Sequence, residues 1–132
     1  MTPDTHDRLP SELGSKTRRV RLPIPGSKEQ ATFYLTAGFY EDGRLGEVFV
    51  TPDGHQDDLS KGLLDAWCVT LSLALQHGVQ PDKLIKKMRG QSFGPGGWTG
   101  EEGPRAIKRA SSIVDYVTQW LGSLLEGERH GD

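Results

Sequence analysis

The segment from Gly90 to Gly103 combines glycines, two aromatic residues and flanking cations in a pattern that could bind a phosphorylated ligand. Glycines let backbone N–H groups approach an anion closely. Phe93 and Trp98 offer flat faces that could stack on a base or fill a pocket of a partner protein. The glycines that would form such a cradle are Gly94, Gly96 and Gly97.

Positive charge lies on both sides of this segment. A predicted helix beginning at Pro104 would also direct its partly positive N-terminus toward a bound anion. The segment is neither a Walker loop nor a dinucleotide fingerprint, because no Gly-Lys-Ser/Thr follows it and no strand precedes it. The opposing interpretation is a structural loop whose aromatic rings pack inward and whose cations are simply solvated, and both interpretations stay open. The candidate cations are Lys86, Lys87, Arg89, Arg105 and Lys108.

Other reactive side chains do not form a catalytic set. His6 and His130 lie near the two ends of the chain, His55 in a predicted loop and His77 at a predicted helix end, without metal-ligand spacing. Cys68 lies in an apolar helical pattern, which predicts a buried, inert thiol. With no nucleophile–base pair and no ligand set, we expect no enzymatic activity, no metal and no cofactor.

Composition narrows the class of protein. The chain has 132 residues, which fits one domain, and its 16 basic and 18 acidic residues give a net charge of −2. A nucleic-acid partner is disfavoured, because such domains are usually clearly basic. No apolar run is long enough to cross a membrane, and the first residues lack a secretory pattern, so we expect a cytoplasmic protein.

Apolar residues that recur every two residues predict strands, and apolar residues that recur every three to four residues predict helices. Strands are predicted at 17–23, 31–40 and 46–51, the last two joined by an Asp42-Gly43 hairpin turn. Helices are predicted from Asp57 or Asp58 to Gly78, from Pro81 to Met88 and from Pro104 to Leu125. The apolar stripe of the first helix includes Leu59, Leu63, Trp67 and Leu71, which suggests a central helix.

Strands followed by helices indicate an α+β fold, with a small antiparallel meander of two to three strands packed against three helices. We expect one domain over residues 17–125. The polar segments 1–16 and 126–132 are expected to be flexible tails.

Several stretches, in order, resemble the C-terminal domain of adenosylcobalamin-dependent (class II) ribonucleotide reductases, called the TSCPD domain. The resemblance covers Thr17 to about Leu121, and no single stretch carries it alone. The stretches are RRVRLP at 18–23, FYLTAGFYEDGR at 33–44, GEVFV at 46–50, LSLALQHGV at 71–79, and SSIVDYV at 111–117 with Trp120-Leu121.

The sequence also departs from the family pattern. The loop that is usually Phe-Glu-Pro-Ser-Gly-x-Thr is FGPGGWT at 93–99 here, so its acid and serine are absent. The segment 51–60 is acidic, and no Cys-x-x-Cys tail follows. The resemblance implies descent from an accessory domain. It does not imply reductase activity, because the radical cysteine, the substrate barrel and the cobalamin site belong to another domain of those enzymes.

The sequence therefore predicts a non-catalytic accessory module that binds a reductase subunit or a nucleotide. The alternative is an inhibitor or adaptor, encoded by a phage or mobile element, that binds an unrelated host protein. Its partner would then be a protein or a phosphorylated small molecule, and the candidate contacts are the loop and the cations named above.

Overall fold

A computed structural model describes residues 5–54 and 57–129, so that His55 and His130 lie outside the described residues. Strands β1 (Gly14–Pro23), β2 (Gln30–Phe39) and β3 (Leu45–Asp53) form one antiparallel sheet in that order. Together with three helices this sheet makes an α+β fold, as the sequence predicted. The strand β1 begins three residues before the predicted start and lies at one edge of the sheet.

The hairpin between β2 and β3 has the predicted Asp-Gly turn. The Tyr40 N–H donates to the Arg44 carbonyl oxygen at 2.9 Å, and the Gly43 N–H donates back to the Tyr40 carbonyl oxygen at 2.9 Å. Gly43 has a φ of 90°, which favours glycine over residues with a side chain. The Asp42 side chain accepts from the Arg44 N–H, which fixes the turn further.

Helix α1 (Asp58–Gln76) packs on β3. Asp57 is its N-cap, because its carboxylate accepts the Ser60 N–H at 2.8 Å. Only the face with Cys68, Leu71 and Leu75 is buried, whereas Leu59 and Leu63 are exposed. The expectation that the whole apolar stripe of this helix would lie in the core is therefore wrong, since the helix is apolar on two faces and the sheet covers one.

The second half of the chain contains α2 (Pro81–Met88), the short strands β4 (Gly97–Trp98) and β5 (Arg109–Ala110), and α3 (Ile113–Arg129). The bounds of α2 match the prediction. The predicted start of α3 at Pro104 is wrong, because residues 104–112 form a turn and β5 instead. Ser112 begins the helix, as its hydroxyl oxygen accepts the Asp115 N–H at 2.9 Å.

Residues of the chain group into two compact units, Met1–Arg19 with Phe33–Pro81, and Val20–Thr32 with Asp82–Asp132. In the first unit, α1 packs on β3. Helix α3, which belongs to the second unit, has more buried residues than α1. Its buried helical residues include Ile113, Tyr116, Val117, Trp120, Leu121 and Leu124.

Part of the segment 1–16 makes contacts within the first unit. The Asp7 N–H donates to the Gln76 carbonyl oxygen at 3.0 Å, and the Asp7 carboxylate lies 2.8 Å from an Arg44 guanidinium nitrogen. The His6 ring stacks on the His77 ring with centroids 4.6 Å apart. At the other end, α3 continues to Arg129, beyond the predicted limit of the domain. The flexibility of the two tails and the single domain over 17–125 stay predictions.

Candidate functional site

Asp115 holds the first residue of the loop that the sequence singled out and the segment that follows this loop. Its carboxylate accepts the Gly90 N–H at 2.8 Å and the Ser111 N–H at 3.0 Å. The Gln119 amide nitrogen donates to the same carboxylate at 3.0 Å. One side chain in the first turn of α3 therefore fixes the beginning of the loop, at Gly90, and the end of the chain segment that follows it, at Ser111.

The ionisation of Asp115 follows from these contacts. Burial alone would raise its pKa, but the N–H groups of Ser111 and Gly90, with Gln119, together outweigh burial. The pKa of Asp115 is therefore lowered from its ordinary value, and the carboxylate is charged at neutral pH. Arg89 adds a distant ion pair, with its Nε 3.8 Å from an Asp115 oxygen.

The middle of the loop is fixed by backbone contacts within the second unit. The Phe93 N–H donates to the Ser111 carbonyl oxygen at 3.1 Å, and the Gly96 N–H donates to the Pro23 carbonyl oxygen at 3.0 Å. A Cβ atom on Gly96 would lie 2.8 Å from the Ala110 carbonyl oxygen. Glycine at this position is therefore explained by close packing of the loop against β5.

The loop ends in a small hairpin that carries Trp98. Strands β4 and β5 are antiparallel and pair Gly97 with Ala110 and Trp98 with Arg109. The Thr99 N–H continues this pairing by donating to the Lys108 carbonyl oxygen at 3.0 Å. The short strands therefore set the position of Trp98 through main-chain hydrogen bonds.

The Glu101 side chain stabilises the turn of the same hairpin by hydrogen bonds. Its carboxylate accepts the Ile107 N–H at 3.1 Å and also the hydroxyl of Tyr116, a fully buried residue of α3. The Thr99 hydroxyl donates to the Ile107 carbonyl oxygen and accepts the Glu101 N–H. These contacts make Glu101 a structural residue, because both its carboxylate oxygens are used within the protein.

Trp98 and Phe93 point into solvent despite this rigid support. The exposed fraction is 67 % for Trp98 and 48 % for Phe93, so the interpretation in which both rings pack inward is wrong. The Arg109 guanidinium carbon lies 5.7 Å from the centroid of the Trp98 ring, within cation–π range. The hairpin thus presents an aromatic ring and an adjacent cation to solvent.

The predicted cations are distributed over two places. Lys108 and Arg105 are exposed on the segment that contains β5. Lys108 is close to Trp98, because its carbonyl oxygen accepts the N–H of the next residue, Thr99. Lys87 is exposed on α2. Lys86 and Arg89 instead line a groove between α2 and α3 of about 550 Å³. Charged residues of both signs and apolar residues line this groove, namely Asp82, Ile85, Lys86, Arg89, Gly122, Leu125 and Glu126.

Two parts of the proposed anion cradle differ from expectation. The helix that was to direct its N-terminus at the loop begins at Ile113 and not at Pro104, so its first turn interacts with its own cap, Ser112. The N–H groups of Gly90, Phe93 and Gly96 already donate to protein oxygen atoms. A ligand role for the predicted loop glycines, Gly94, Gly96 and Gly97, stays a prediction.

Cys68 and His77 both have structural surroundings. Burial raises the pKa of the Cys68 thiol to about 11, which keeps it protonated at neutral pH. His77 caps α1, and its Nδ1 lies 2.9 Å from the Leu73 carbonyl oxygen. Within residues 5–54 and 57–129, no group of three or more possible metal ligands occurs, and no helix is long and apolar enough to cross a membrane.

These observations define the class of protein as a small α+β domain with a rigid, exposed aromatic hairpin. Comparison with known proteins identifies the family. A family profile described as the TSCPD domain matches residues 9–125. The chain belongs to the TSCPD domain family, as the resemblance implied.

Curated relatives of the chain include proteins named Vitamin B12-dependent ribonucleotide reductase. The protein from Rhodopirellula baltica is 35 % identical over 114 residues, which cover 81 % of this chain and 11 % of the relative. The protein from Agrobacterium fabrum is 35 % identical over 116 residues, covering 87 % of this chain and 8 % of the relative. The chain therefore spans about a tenth of the length of these relatives. No solved structure matches it.

Sequence reasoning missed the residues that organise the site. Asp115, Glu101 and Tyr116 were not among the candidates, although they fix the loop and the hairpin. A signal existed for the first of them, because Ser112 followed three residues later by an acid is typical of a helix N-terminus. No sequence signal indicated that Arg109 would lie beside Trp98.

Proposed function

We propose that this chain is a non-catalytic binding module that recognises a polypeptide of a B12-dependent ribonucleotide reductase through the hairpin carrying Trp98. The observation that carries the proposal is the exposure of Trp98 on a rigid support. A tryptophan ring in water forgoes the free energy of burial, and aromatic rings and arginine are enriched among the residues that dominate protein interfaces.

The surroundings of Trp98 suit a partner with an apolar pocket and acidic edges. Arg109 lies against the ring, and Lys108 and Arg105 are exposed on the same segment. Because β4, β5 and Glu101 already fix the hairpin, little conformational entropy would be lost when a partner covers the ring. The family relationship supplies the candidate partner, since the relatives carry this domain within a reductase.

Absence of catalysis is part of the proposal. Cys68 is the one cysteine of the chain, and its raised pKa makes the thiol a poor electron donor or nucleophile. Reduction of a ribonucleotide with a dithiol requires a cysteine pair that can exchange with it. The purified chain, supplied with adenosylcobalamin, a dithiol and ribonucleotides, is expected to give no deoxyribonucleotide, and any turnover would contradict this part.

A nucleotide is the second candidate ligand, and the pairing of Trp98 with Arg109 favours it. A base could stack on the ring, and a phosphate could contact Lys108 or Arg105. The inhibitor or adaptor function toward an unrelated host protein stays a prediction, since no contact described above favours it.

The test is a calorimetric titration of this chain with the purified B12-dependent reductase of the same organism. We expect Trp98→Ala and Arg109→Ala each to weaken binding by about 5- to 150-fold, the equivalent of ~1–3 kcal/mol. Their melting temperatures should stay near that of the parent. Val79→Ala, which changes an exposed apolar residue outside the hairpin, is the matched control and should bind normally.

Two outcomes separate the alternatives. If a nucleoside triphosphate binds in the absence of the reductase and Trp98→Ala abolishes this binding, the ligand is a nucleotide. If both hairpin variants remain folded and bind the reductase as tightly as the parent, the site is elsewhere and the proposal fails.

A further inference from the structure

A short segment before β1 is held by main-chain hydrogen bonds within the first unit. The Asp7 N–H donates to the Gln76 carbonyl oxygen at 3.0 Å, and the Asp7 carbonyl oxygen accepts the Tyr40 hydroxyl. Both main-chain groups of one residue are therefore bound, which is a common way for proteins to hold an extended peptide. We call residues 6–9 the strap. The residues that contact it form the strap seat, namely Tyr40, Arg44, Gly46, Gln76 and His77.

Side chains of the strap add specific contacts to the seat. The Asp7 carboxylate lies 2.8 Å from an Arg44 guanidinium nitrogen. The His6 ring stacks on the His77 ring with centroids 4.6 Å apart. The His6 Nε2–H donates to the Gln76 side-chain oxygen at 2.6 Å, because an amide oxygen can only accept. The seat therefore contacts an aromatic ring followed by an acid.

Two features of the seat suit a bound peptide. A Cβ atom on Gly46 would lie 2.5 Å from a methyl carbon of Leu9, so the glycine leaves the space that the Leu9 side chain fills. Tyr40 is buried, with 8 % of its surface exposed, and its hydroxyl would lose the Asp7 carbonyl oxygen if the strap left. The space at Gly46 and the buried hydroxyl of Tyr40 thus both match a segment that lies here.

Contacts among the seat residues fix their positions. An Asp42 carboxylate oxygen lies 2.7 Å from the Arg44 Nε, and the Arg44 guanidinium carbon lies 4.4 Å from the centroid of the Tyr40 ring. The Gln76 side-chain nitrogen donates to the Gly46 carbonyl oxygen at 3.1 Å, which directs the side-chain oxygen toward the strap. A seat that is ordered in this way loses little conformational entropy when a peptide binds.

Few contacts of the strap are buried. The side chains of Arg44 and Asp7 are 57 % and 56 % exposed, and surface ion pairs of this kind contribute little free energy. Leu9 is the one aliphatic residue of the strap, and it is half-buried. A short segment with so few buried contacts is expected to open far more often than the whole domain unfolds.

We propose that the strap seat is a docking site for an extended segment of a partner polypeptide, and that the strap is its displaceable occupant within the chain. The recognised segment carries an acid and, two residues later, an aliphatic residue, as Asp7 and Leu9 do. The seat lies inside the part of the chain that the family profile matches, whereas residues 6–8 precede that part. The strap competes with a partner at the millimolar effective concentration that a short tether gives, so it lowers the apparent affinity of the seat.

Titration of the full-length chain with a synthetic peptide of residues 5–11, followed by nuclear magnetic resonance, tests the docking. The double variant Asp7→Ala/Leu9→Ala disables the strap, and circular dichroism checks that it is folded. This variant should bind the peptide at millimolar concentrations, with shifts at the Gly46 and Gln76 amides. The parent chain should bind it at least ~10-fold more weakly, because its own strap occupies the seat.

Matched changes in the peptide and in the strap-disabled chain test the recognised chemistry. The change Asp7→Ala in the peptide should weaken binding about 2- to 5-fold, as expected for an exposed ion pair, and Arg44→Ala in the chain should do the same. The two changes together should cost little more than either alone, because they remove the same contact. The controls are Arg8→Ala in the peptide and Lys61→Ala in the chain, both at exposed residues, and they should bind normally.

Three results would overturn the proposal. The first is a strap-disabled chain that does not bind the peptide, and the second is a parent chain that binds it equally tightly. The third is an Asp7→Ala peptide that binds as tightly as the original peptide. Addition of Trp98→Ala to the strap-disabled chain should leave peptide binding unchanged, since Trp98 is not part of the seat. The docking proposed here is thereby tested independently of the function proposed for the hairpin.

Discussion

Replacement of Asp115 by alanine removes the acceptor that fixes the start of the loop, at Gly90, and the segment that follows the loop, at Ser111. The N–H groups of Gly90 and Ser111 lose their partner, whereas the Gln119 amide keeps its other acceptor, the Arg109 carbonyl oxygen. An unsatisfied donor costs about 1–3 kcal/mol, depending on how well water can replace the lost oxygen. Gly90 is exposed and Ser111 is half-buried, so both contributions belong in the lower half of that range. We expect Asp115→Ala to lower the free energy of unfolding by about 2–3 kcal/mol.

The same side chain predicts a pH dependence. Because the pKa of Asp115 is lowered in the folded protein, its charged form stabilises the fold at any pH above its ordinary pKa of 3.8. This contribution decreases as the pH falls through the lower, folded value, where the native carboxylate also takes up its proton. The stability difference between the parent and Asp115→Asn should therefore shrink as the pH is lowered from about 5 to about 2.

Urea denaturation followed by circular dichroism measures the loss of stability in Asp115→Ala. Hydrogen exchange at the Gly90 and Ser111 amides shows whether this loss arises where their acceptor was removed. The matched control is Asp53→Asn, at an exposed acid at the end of β3. If Asp115→Ala costs less than ~1 kcal/mol and leaves exchange at these two amides unchanged, the loop is held by other contacts. A constant difference between parent and Asp115→Asn across the pH range would refute the electrostatic part of the reasoning.

Three further predictions follow from burial and packing. Leu71→Ala should cost about 2–5 kcal/mol in urea denaturation, whereas Leu63→Ala should change monomer stability by less than ~0.5 kcal/mol, because only the first side chain is buried. The Cys68 thiol should resist a thiol-specific reagent at neutral pH until the protein is unfolded, and rapid labelling of the native chain would contradict its burial and raised pKa. Gly96→Ala should lower the melting temperature, since its Cβ would lie 2.8 Å from a carbonyl oxygen of β5; Gly94→Ala, whose Cβ meets its nearest atoms at 3.5 Å, is the control, and equal melting temperatures would show that the loop can shift.

Local patterns were enough to predict the elements of the first unit. The Asp42-Gly43 turn, the cap at Asp57 and the end of α1 near Gly78 each depend on a few neighbouring residues, and each is present. The bounds of α2 follow from Pro81 and the glycine after Arg89 in the same way. Such local features can be predicted from the sequence, because the backbone groups that need a hydrogen bond and the side chain that supplies it lie within one turn of the chain.

The predicted start of α3 at Pro104 is wrong, because the apolar period of the helix extends into the residues before it. Ile107 and Ala110 continue the three-to-four-residue period of the helix toward Pro104, and both are buried. They reach the core from a turn and from β5, however, because Ser112 supplies the true cap and β5 pairs with β4. Periodicity alone cannot separate a helical apolar residue from a buried residue of an adjoining strand.

The sequence by itself determined the α+β class, the order of the three strands and three helices and the hairpin turn, and the resemblance carried by its motifs indicated the family. Only the tertiary structure decided which apolar face of α1 is buried, that Trp98 is exposed beside Arg109, and that Asp115 holds the loop. These features depend on contacts between residues far apart in the chain. A helix with two apolar faces, or a tryptophan in a glycine-rich loop, has the same local sequence whether a neighbouring element covers it or not.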